Sequence, residues 1–233
     1  MKYAAILLVG LWAAPAIAQN GVRSPQGFSI GVAAGGSAFS DFQRSNFQAQ
    51  RLSASGVEQQ EFSRRVGAHT SGSVAGYLAF WPAQNWGLRL YGAYTPSRFE
   101  EIISRSAAEF TNAPSADTMA ALAVENYQAQ ALFRLPTIKG RVMPYGIVGG
   151  GVMRYTAKNN GVVPAEAATA FSSGRQTKTA ASIGAGAMLQ MRRRGWGLNF
   201  ELIDNISRTP MASGPVRNPS SVSFTVGLSL LLQ

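Results

Sequence analysis

The chain contains one histidine, His69, which lies two residues before Ser71. A histidine can remove the proton of a serine hydroxyl and so activate that serine as a nucleophile. Such a pair also requires a third group to orient the histidine, and no glutamate follows in the predicted strand 72–81. A hydrolytic site at His69-Thr70-Ser71 is therefore incomplete, and an enzyme is the least favoured function.

The composition also argues against a metal centre. The chain has no cysteine and a single histidine, which excludes cysteine-based metal sites, disulfide frameworks and a cluster of histidines. We therefore expect no catalytic residue, no bound metal and no cofactor.

Two opposite charges, Arg89 and Glu201, each stand between large apolar residues. Neighbouring side chains of a strand point to opposite faces, so each charge lies on the face opposite to its apolar neighbours. If that face lines a narrow interior, the two charges should pair, because an unpaired buried charge is costly. The pair would either neutralise charge in a filled interior or gate a narrow pore, and the sequence leaves both roles open.

The segments that carry these residues alternate between apolar and small or polar residues, which is the two-residue period of a β-strand. The pattern is clearest at the end of the chain, where Val222, Phe224, Val226 and Leu228 alternate with serine, threonine and glycine. Eight segments are predicted as strands: 27–39, 72–81, 86–95, 122–135, 143–155, 181–192, 196–202 and 222–232.

The connections between these strands fall into two alternating classes. Residues 82–85, 136–141 and 193–195 are short and contain proline, glycine or asparagine, as tight turns do. The long, polar connections are 40–68, 98–120, 156–177 and 207–220. This alternation is typical of a transmembrane β-barrel with short periplasmic turns and long external loops. The predicted fold is all-β, an eight-stranded antiparallel transmembrane barrel with four such loops.

The identity of the polar residues decides which face meets lipid. A water-facing strand surface normally carries lysine and glutamate, whereas here the polar positions hold mainly glycine, serine, threonine, asparagine and glutamine. Small residues suit the interior of an eight-stranded barrel, which has room for little more than side chains. The apolar face is therefore assigned to lipid. On strand 143–155 this rule assigns Tyr145, Ile147, Met153 and Tyr155 to lipid. It assigns the opposite face to the interior, with Gly146, Val148, Gly150 and Arg154.

Aromatic residues cluster at the two ends of the strands, as they do at the two interfaces of a membrane. Those beside the short turns are Trp81, Trp86, Phe133, Tyr145 and Trp196. Those beside the long loops include Tyr94, Tyr127 and Tyr155. We interpret these two rows as the aromatic belts of a membrane barrel.

The first 18 residues have the features of a secretory signal peptide. Lys2 precedes an apolar run from Ala4 to Ala18 that ends in Ala16-Ile17-Ala18, which fits a signal-peptidase site before Gln19. The run is too short to span a bilayer as a helix. We therefore divide the chain into a signal peptide, residues 1–18, and a barrel domain, residues 19–233.

The charge of the chain limits the kinds of partner that it is expected to bind. Only 14% of the residues are charged, against about 25% in soluble domains, and a lipid-facing surface explains the deficit. The net charge of +10 suggests an anionic partner, and export makes nucleic acid an unsuitable one. Outer-membrane lipid fits better, because basic groups are attracted to anionic membrane surfaces. The basic loop residues could bind lipopolysaccharide phosphates or simply be solvated.

The sequence resembles the eight-stranded outer membrane protein β-barrel domain family, which includes the OmpA-type, OmpX-type and OmpW-type barrels. The resemblance rests on three segments: Pro144-Tyr145-Gly146 leading into Gly149-Gly150-Gly151, the restart Gly195-Trp196-Gly197, and the terminal strand 222–232. It implies location in a bacterial outer membrane and insertion by the barrel-assembly machinery. The OmpW-type resemblance implies a narrow channel for small or hydrophobic molecules. The segment His69-Thr70-Ser71 is similar to the His-x-Ser element of outer-membrane lipid A deacylases.

These observations favour a non-enzymatic outer-membrane barrel that contributes to envelope structure or surface interaction. The narrow channel is the alternative, and a lipid A-modifying enzyme ranks third.

Overall fold

The computed structural model describes residues 27–53, 56–105, 108–109, 119–138, 141–158, 163, 171, 174–191, 195–210 and 218–232. The predicted signal peptide, residues 1–18, lies outside these ranges. Eleven strands are present in them: β1 (Gly27–Phe39), β2 (Gln43–Ser53), β3 (Gly56–Ala68), β4 (Ser71–Trp81), β5 (Trp86–Arg105), β6 (Ala108–Glu109), β7 (Ala121–Arg134), β8 (Val142–Ala157), β9 (Arg175–Gln190), β10 (Trp196–Ser207) and β11 (Ser220–Leu232).

Eight of the strands close into an antiparallel barrel. Going around the wall, their order is β1, β4, β5, β7, β8, β9, β10 and β11, and β11 pairs with β1. The predicted all-β fold with an eight-stranded barrel is confirmed, and each predicted segment overlaps one barrel strand. Most strands agree with their predicted bounds to within two residues, but three extend further: β5 continues to Arg105, β9 begins at Arg175, and β10 reaches Ser207.

The prediction of a loop over residues 40–68 is wrong, because much of this segment forms the β2–β3 hairpin. The second strand of this hairpin pairs with the extension of β5, from Phe62 opposite Arg105 to Ala68 opposite Phe99. Strands β3 and β4 thus follow one another along β5 with one extra residue between them, a β-bulge at His69-Thr70. Alternation of apolar residues is weak in β2, whose sequence is mostly polar.

The apolar face is exposed and the small polar face is buried on most of the wall. On β11, for example, Phe224 and Leu228 are exposed while Thr225 and Ser229 are buried. A continuous band of exposed apolar side chains therefore surrounds the barrel, as a lipid-facing surface requires. No described helix is long and apolar enough to cross a membrane.

The predicted facing of β8 is wrong. Tyr145, Ile147, Met153 and Tyr155 are buried in the lumen, and Val148 on the opposite face is 52% exposed. A glycine on the neighbouring strand β9 makes room for the ring of Tyr145. At Gly186, an added Cβ would lie 2.5 Å from Cζ of Tyr145.

Trp81 on β4 also points into the lumen. The sequence places it in an aromatic belt, but its side chain is only 5% exposed. An added Cβ at Gly87 would lie 2.6 Å from its ring. In both places an aromatic ring occupies the space that a glycine on the adjacent strand leaves free in the lumen.

Candidate functional site: the barrel lumen

The centre of the lumen contains an ion pair between Arg89 on β5 and Glu201 on β10. Nη1 of Arg89 donates a hydrogen bond to Oε1 of Glu201 at 2.5 Å, and both side chains are almost fully buried. Nε of Arg89 donates to Oε1 of Gln130 at 2.7 Å, from the directly opposite position on β7. The hydroxyl of Tyr145 donates to the same Glu201 oxygen at 2.5 Å. The pair thus ties together four strands of the wall.

Two tyrosine rings surround the guanidinium group. Cζ of Arg89 lies 5.1 Å from the ring centroids of both Tyr77 and Tyr91, which is within the range of cation–π attraction. The hydroxyl of Tyr77 accepts a hydrogen bond from Nδ2 of Asn199 at 2.9 Å. Because rings and amides occupy the space around the charges, the middle of the lumen is filled by side chains.

A layer of amide side chains crosses the lumen on the long-loop side of the ion pair. Nε2 of Gln130 donates to Gln128 at 2.8 Å. Gln128 and Asn126 in turn donate to Oδ1 of Asn205, each at 3.0 Å. The network therefore joins β7 to β10 without a further charge.

An apolar cluster covers the long-loop end of the lumen. Phe42 packs edge-on against Tyr155, with ring centroids 5.6 Å apart, and Phe99 packs against Phe171 at 5.4 Å. The hydroxyl of Tyr155 is hydrogen-bonded to Ser207 at 2.7 Å. The other buried members of this cluster are Val66, Ala68, Met119, Ala120, Leu122, Val124, Met153, Ala157 and Ala180. The sequence does not predict this apolar cluster, because residues 40–68 and 98–120 have the composition of long, polar connections.

The short-turn end is occupied by Trp81 and Arg134. The guanidinium carbon of Arg134 lies 3.5 Å from the centroid of the Trp81 ring, and Nη1 reaches the carbonyl oxygen of Gln84 at 3.5 Å. Ala79, Leu132, Ile147 and Ile203 belong to the same apolar cluster as Trp81. Side chains therefore fill the lumen at both ends as well as at its centre.

Five of the residues assigned to the belts lie on the outer surface. Trp86, Phe133 and Trp196 are exposed near the short turns, and Tyr94 and Tyr127 are exposed toward the long-loop end. Trp81, Tyr145 and Tyr155 line the lumen instead. These three residues therefore cannot belong to an aromatic belt, and the belts formed by the other five stay a prediction.

The segment His69-Thr70-Ser71 does not form a serine–histidine pair. The hydroxyl of Ser71 donates to the carbonyl oxygen of Pro96, so its proton is not directed at the His69 ring. Nδ1 of His69 lies 3.9 Å from a carboxylate oxygen of Glu100, and both side chains are substantially exposed. Glu100 lies on β5, beyond residue 95 where the predicted strand 86–95 ends, so the sequence gives no sign that it is near His69. Within the described ranges, no group of three or more His, Cys, Asp or Glu residues could hold a metal ion.

Comparison with known proteins gives a likeness of fold. No family model and no curated protein matches the sequence. The structure is similar to that of the outer membrane protein OprG from Pseudomonas aeruginosa, with a TM-score of 0.50, 13% identity, and coverage of 91% of this chain and 100% of that one. Neisserial surface protein A (TM-score 0.47, 13% identity, 88% of this chain and 97% of that one) is also similar. So is the attachment invasion locus protein Ail of Yersinia pestis (0.44, 13%, 89% and 100%). The fold is that of outer-membrane β-barrel proteins.

Proposed function

We propose that this barrel of the outer-membrane type is a non-conducting, non-enzymatic envelope protein, which contributes to membrane structure or to surface interactions. The observation that carries the proposal is the filling of the lumen around Arg89 and Glu201. An ion crossing the barrel would have to separate this buried pair and pass the rings of Tyr77 and Tyr91. Separating a buried pair leaves an uncompensated charge and is costly.

The proposed orientation follows the connections. Short turns face the periplasm in barrels of this kind, and the longer connections face outward. The β2–β3 hairpin and the extension of β5 lie at the long-loop end, so this orientation would display them at the cell surface. In this proposal residues 1–18 direct export, and the barrel-assembly machinery inserts the chain next to outer-membrane lipid.

A planar-bilayer recording tests the proposal. We expect no unitary current steps from wild-type protein, and none from Arg89→Ala, because the apolar cover and the Trp81–Arg134 contact would remain. Arg141→Ala, at an exposed position near a short turn, is the control for loss of one positive charge. Current steps in wild-type protein that change in Arg89→Ala, but not in the control, would contradict a closed lumen.

That contradicting result would favour the second candidate, a narrow channel for small or hydrophobic molecules. One observation supports this candidate: Nη2 of Arg89 is buried without a hydrogen-bond partner among the described residues. The amide layer from Gln130 to Asn126 also continues from the ion pair toward the long-loop end. In such a channel the Arg89–Glu201 pair would be the gate.

Lipid A deacylation remains the least favoured function, because the Ser71 hydroxyl is directed to a backbone carbonyl. Incubation of purified protein with lipid A should leave every acyl chain in place. Release of a fatty acid that stops in Ser71→Ala would contradict this expectation.

A further inference from the structure

Four basic side chains gather on the outer surface of one half of the barrel. Arg98 on β5, Arg154 on β8, Lys158 after β8 and Arg175 on β9 form what we call the basic patch. Arg98, Lys158 and Arg175 are exposed, and the side chain of Arg154 is 37% exposed. All four continue the outward-facing positions of their strands, on the long-loop side of the exposed apolar band.

The strand register places these residues near one another. Arg98 lies opposite Ala121 on β7, and the amide of Lys158 donates to the carbonyl of the same Ala121. Two strand spacings, about 10 Å, therefore separate Arg98 from Lys158. Arg175 lies opposite Thr156, between Lys158 and Arg154. The barrel wall between the four charges thus carries small side chains, among them Ala121 and Thr156.

An apolar groove of about 560 Å³ lies below the basic patch, toward the short turns, and extends across β5 to Leu78 and Phe80 on β4 and Phe28 on β1. Ala129 and Ala131 on β7 form part of it, and Leu88, Leu90 and Val148 on the neighbouring strands stand beside them. The two alanines are small outward-facing residues between larger ones, so the barrel surface is concave there. A flexible acyl chain can fill such a concave surface.

Tyr127 and the ion pair between Arg154 and Glu125 separate the groove from the rest of the basic patch. Nη1 of Arg154 lies 3.1 Å from Glu125, and Cζ of Arg154 lies 5.9 Å from the Tyr127 ring centroid. Glu125 is four residues from Ala129 on β7, which is about 13 Å along the strand. An acyl chain that starts at Arg154 can therefore reach the groove.

The outward faces of the other barrel strands carry no such cluster of basic residues in the described ranges. Among the described outward-facing residues of β1, β4, β10 and β11 and the residues that directly follow them, Arg208 is the only basic one at the long-loop end. Asp204 lies four residues before it on the same face and adds a negative charge. At the same end, the β2–β3 hairpin carries Arg44, which is paired with Asp41, and Arg64, which is paired with Glu101. The basic patch is therefore the place on the described barrel strands where an anionic lipid would meet several positive charges.

We propose that the basic patch and the groove together form a binding site for one anionic lipid with a phosphate-bearing headgroup. The basic side chains would bind the phosphate, to which arginine can donate two parallel hydrogen bonds, and the groove would hold an acyl chain. Membrane insertion is the only requirement of this site, so it goes beyond the proposed function and does not depend on a closed lumen.

Native mass spectrometry of the refolded barrel in detergent tests the site. The probes are phosphatidylglycerol, which is anionic, and phosphatidylcholine with the same acyl chains. We expect wild-type protein to retain phosphatidylglycerol preferentially. In Arg154→Gln/Lys158→Gln its affinity should fall by about 30-fold, from the typical contribution of two basic groups near a membrane surface. The control Arg44→Gln/Arg141→Gln removes two exposed positive charges elsewhere and should not change the affinity.

A second variant tests the groove independently. Ala129→Leu/Ala131→Leu should displace the acyl chain and weaken binding of both lipids, whereas Ala34→Leu, on the lipid-facing side of β1, should have no effect. Heat-modifiable migration on unboiled gels reports that each variant is folded. Equal retention of the two lipids by wild-type protein, or unchanged phosphatidylglycerol binding in both double variants, would overturn the proposal.

Discussion

Replacement of Glu201 by leucine should destabilise the barrel far more than the loss of a surface ion pair would. The substitution leaves the Arg89 guanidinium buried without its counter-ion, and removing one partner of a buried pair costs about 3–5 kcal/mol. Arg89 keeps its bond to Gln130 and the ring contacts with Tyr77 and Tyr91. Since these contacts offset part of the cost, we expect about 3 kcal/mol, near the lower end of that range.

The double variant Arg89→Met/Glu201→Leu separates the cost of an unpaired charge from the value of the pair. Replacing both partners with apolar residues of similar volume is often neutral or stabilising, so we expect its unfolding free energy to lie within about 1 kcal/mol of wild type. Urea unfolding in phospholipid vesicles, followed by tryptophan fluorescence, measures both variants.

The exposed pair between Arg44 and Asp41 supplies the matched control. Its atoms are 2.5 Å apart, as in the lumen pair, but its side chains are 49% and 24% exposed. Asp41→Asn should therefore cost less than about 1 kcal/mol. If Glu201→Leu cost no more than this control, water would be solvating the lumen charges, and the reasoning from a filled lumen would be refuted.

Three further predictions follow from the packing and the orientation. Gly186→Ala should lower the unfolding free energy by about 1–3 kcal/mol because its Cβ would overlap a tyrosine ring, whereas Gly146→Ala, with nothing within 4 Å of the added Cβ, should be close to neutral in the same urea assay. Brominated lipid should quench the fluorescence of the exposed Trp86 and not that of the buried Trp81, as measured on single-tryptophan variants; equal quenching would contradict the inward position of Trp81. An epitope inserted at residues 54–55, between β2 and β3, should bind antibody on intact cells, and binding only after permeabilisation would reverse the proposed orientation.

The barrel could be predicted because the apolar alternation of each strand is visible in that strand's own sequence. Each lipid-facing strand must alternate over its own length, so Val222 to Leu232 and 181–192 reveal their facing without knowledge of any neighbour. The inward direction of Arg89 and Glu201 is equally local. Their contact joins residues 112 positions apart, yet it follows once both point into a lumen only a few side chains wide.

The facing of β8 could not be predicted in this way, because it depends on residues elsewhere in the chain. Tyr145 points inward since Gly186, on β9, leaves space for its ring. Within β8 itself the large residues and the glycines fit either face. The rule that large apolar residues face lipid therefore fails where a glycine on the adjacent strand leaves space in the lumen for a large side chain.

The β2–β3 hairpin was missed for a different physical reason. Its second strand, β3, pairs with the extension of β5 beyond the apolar band, and β2 pairs only with β3, so the alternation that a lipid-facing wall requires does not apply to them. The apolar cover of the lumen was missed with it, because Phe42 and Phe99 stand in segments that read as polar connections. A single phenylalanine in such a segment carries no periodic signal.

The absence of cysteine from the natural sequence makes a direct test of the filled lumen possible. Ser223 is buried in the lumen and hydrogen-bonded to Ser37 at 2.8 Å, whereas Thr70 is exposed. Ser223→Cys and Thr70→Cys should be treated in folded form with a small, charged, thiol-specific reagent. We expect complete modification at position 70 and none at position 223 until the barrel is unfolded. Modification at similar rates in the two folded variants would show that water fills the lumen and would contradict a closed, side-chain-filled barrel.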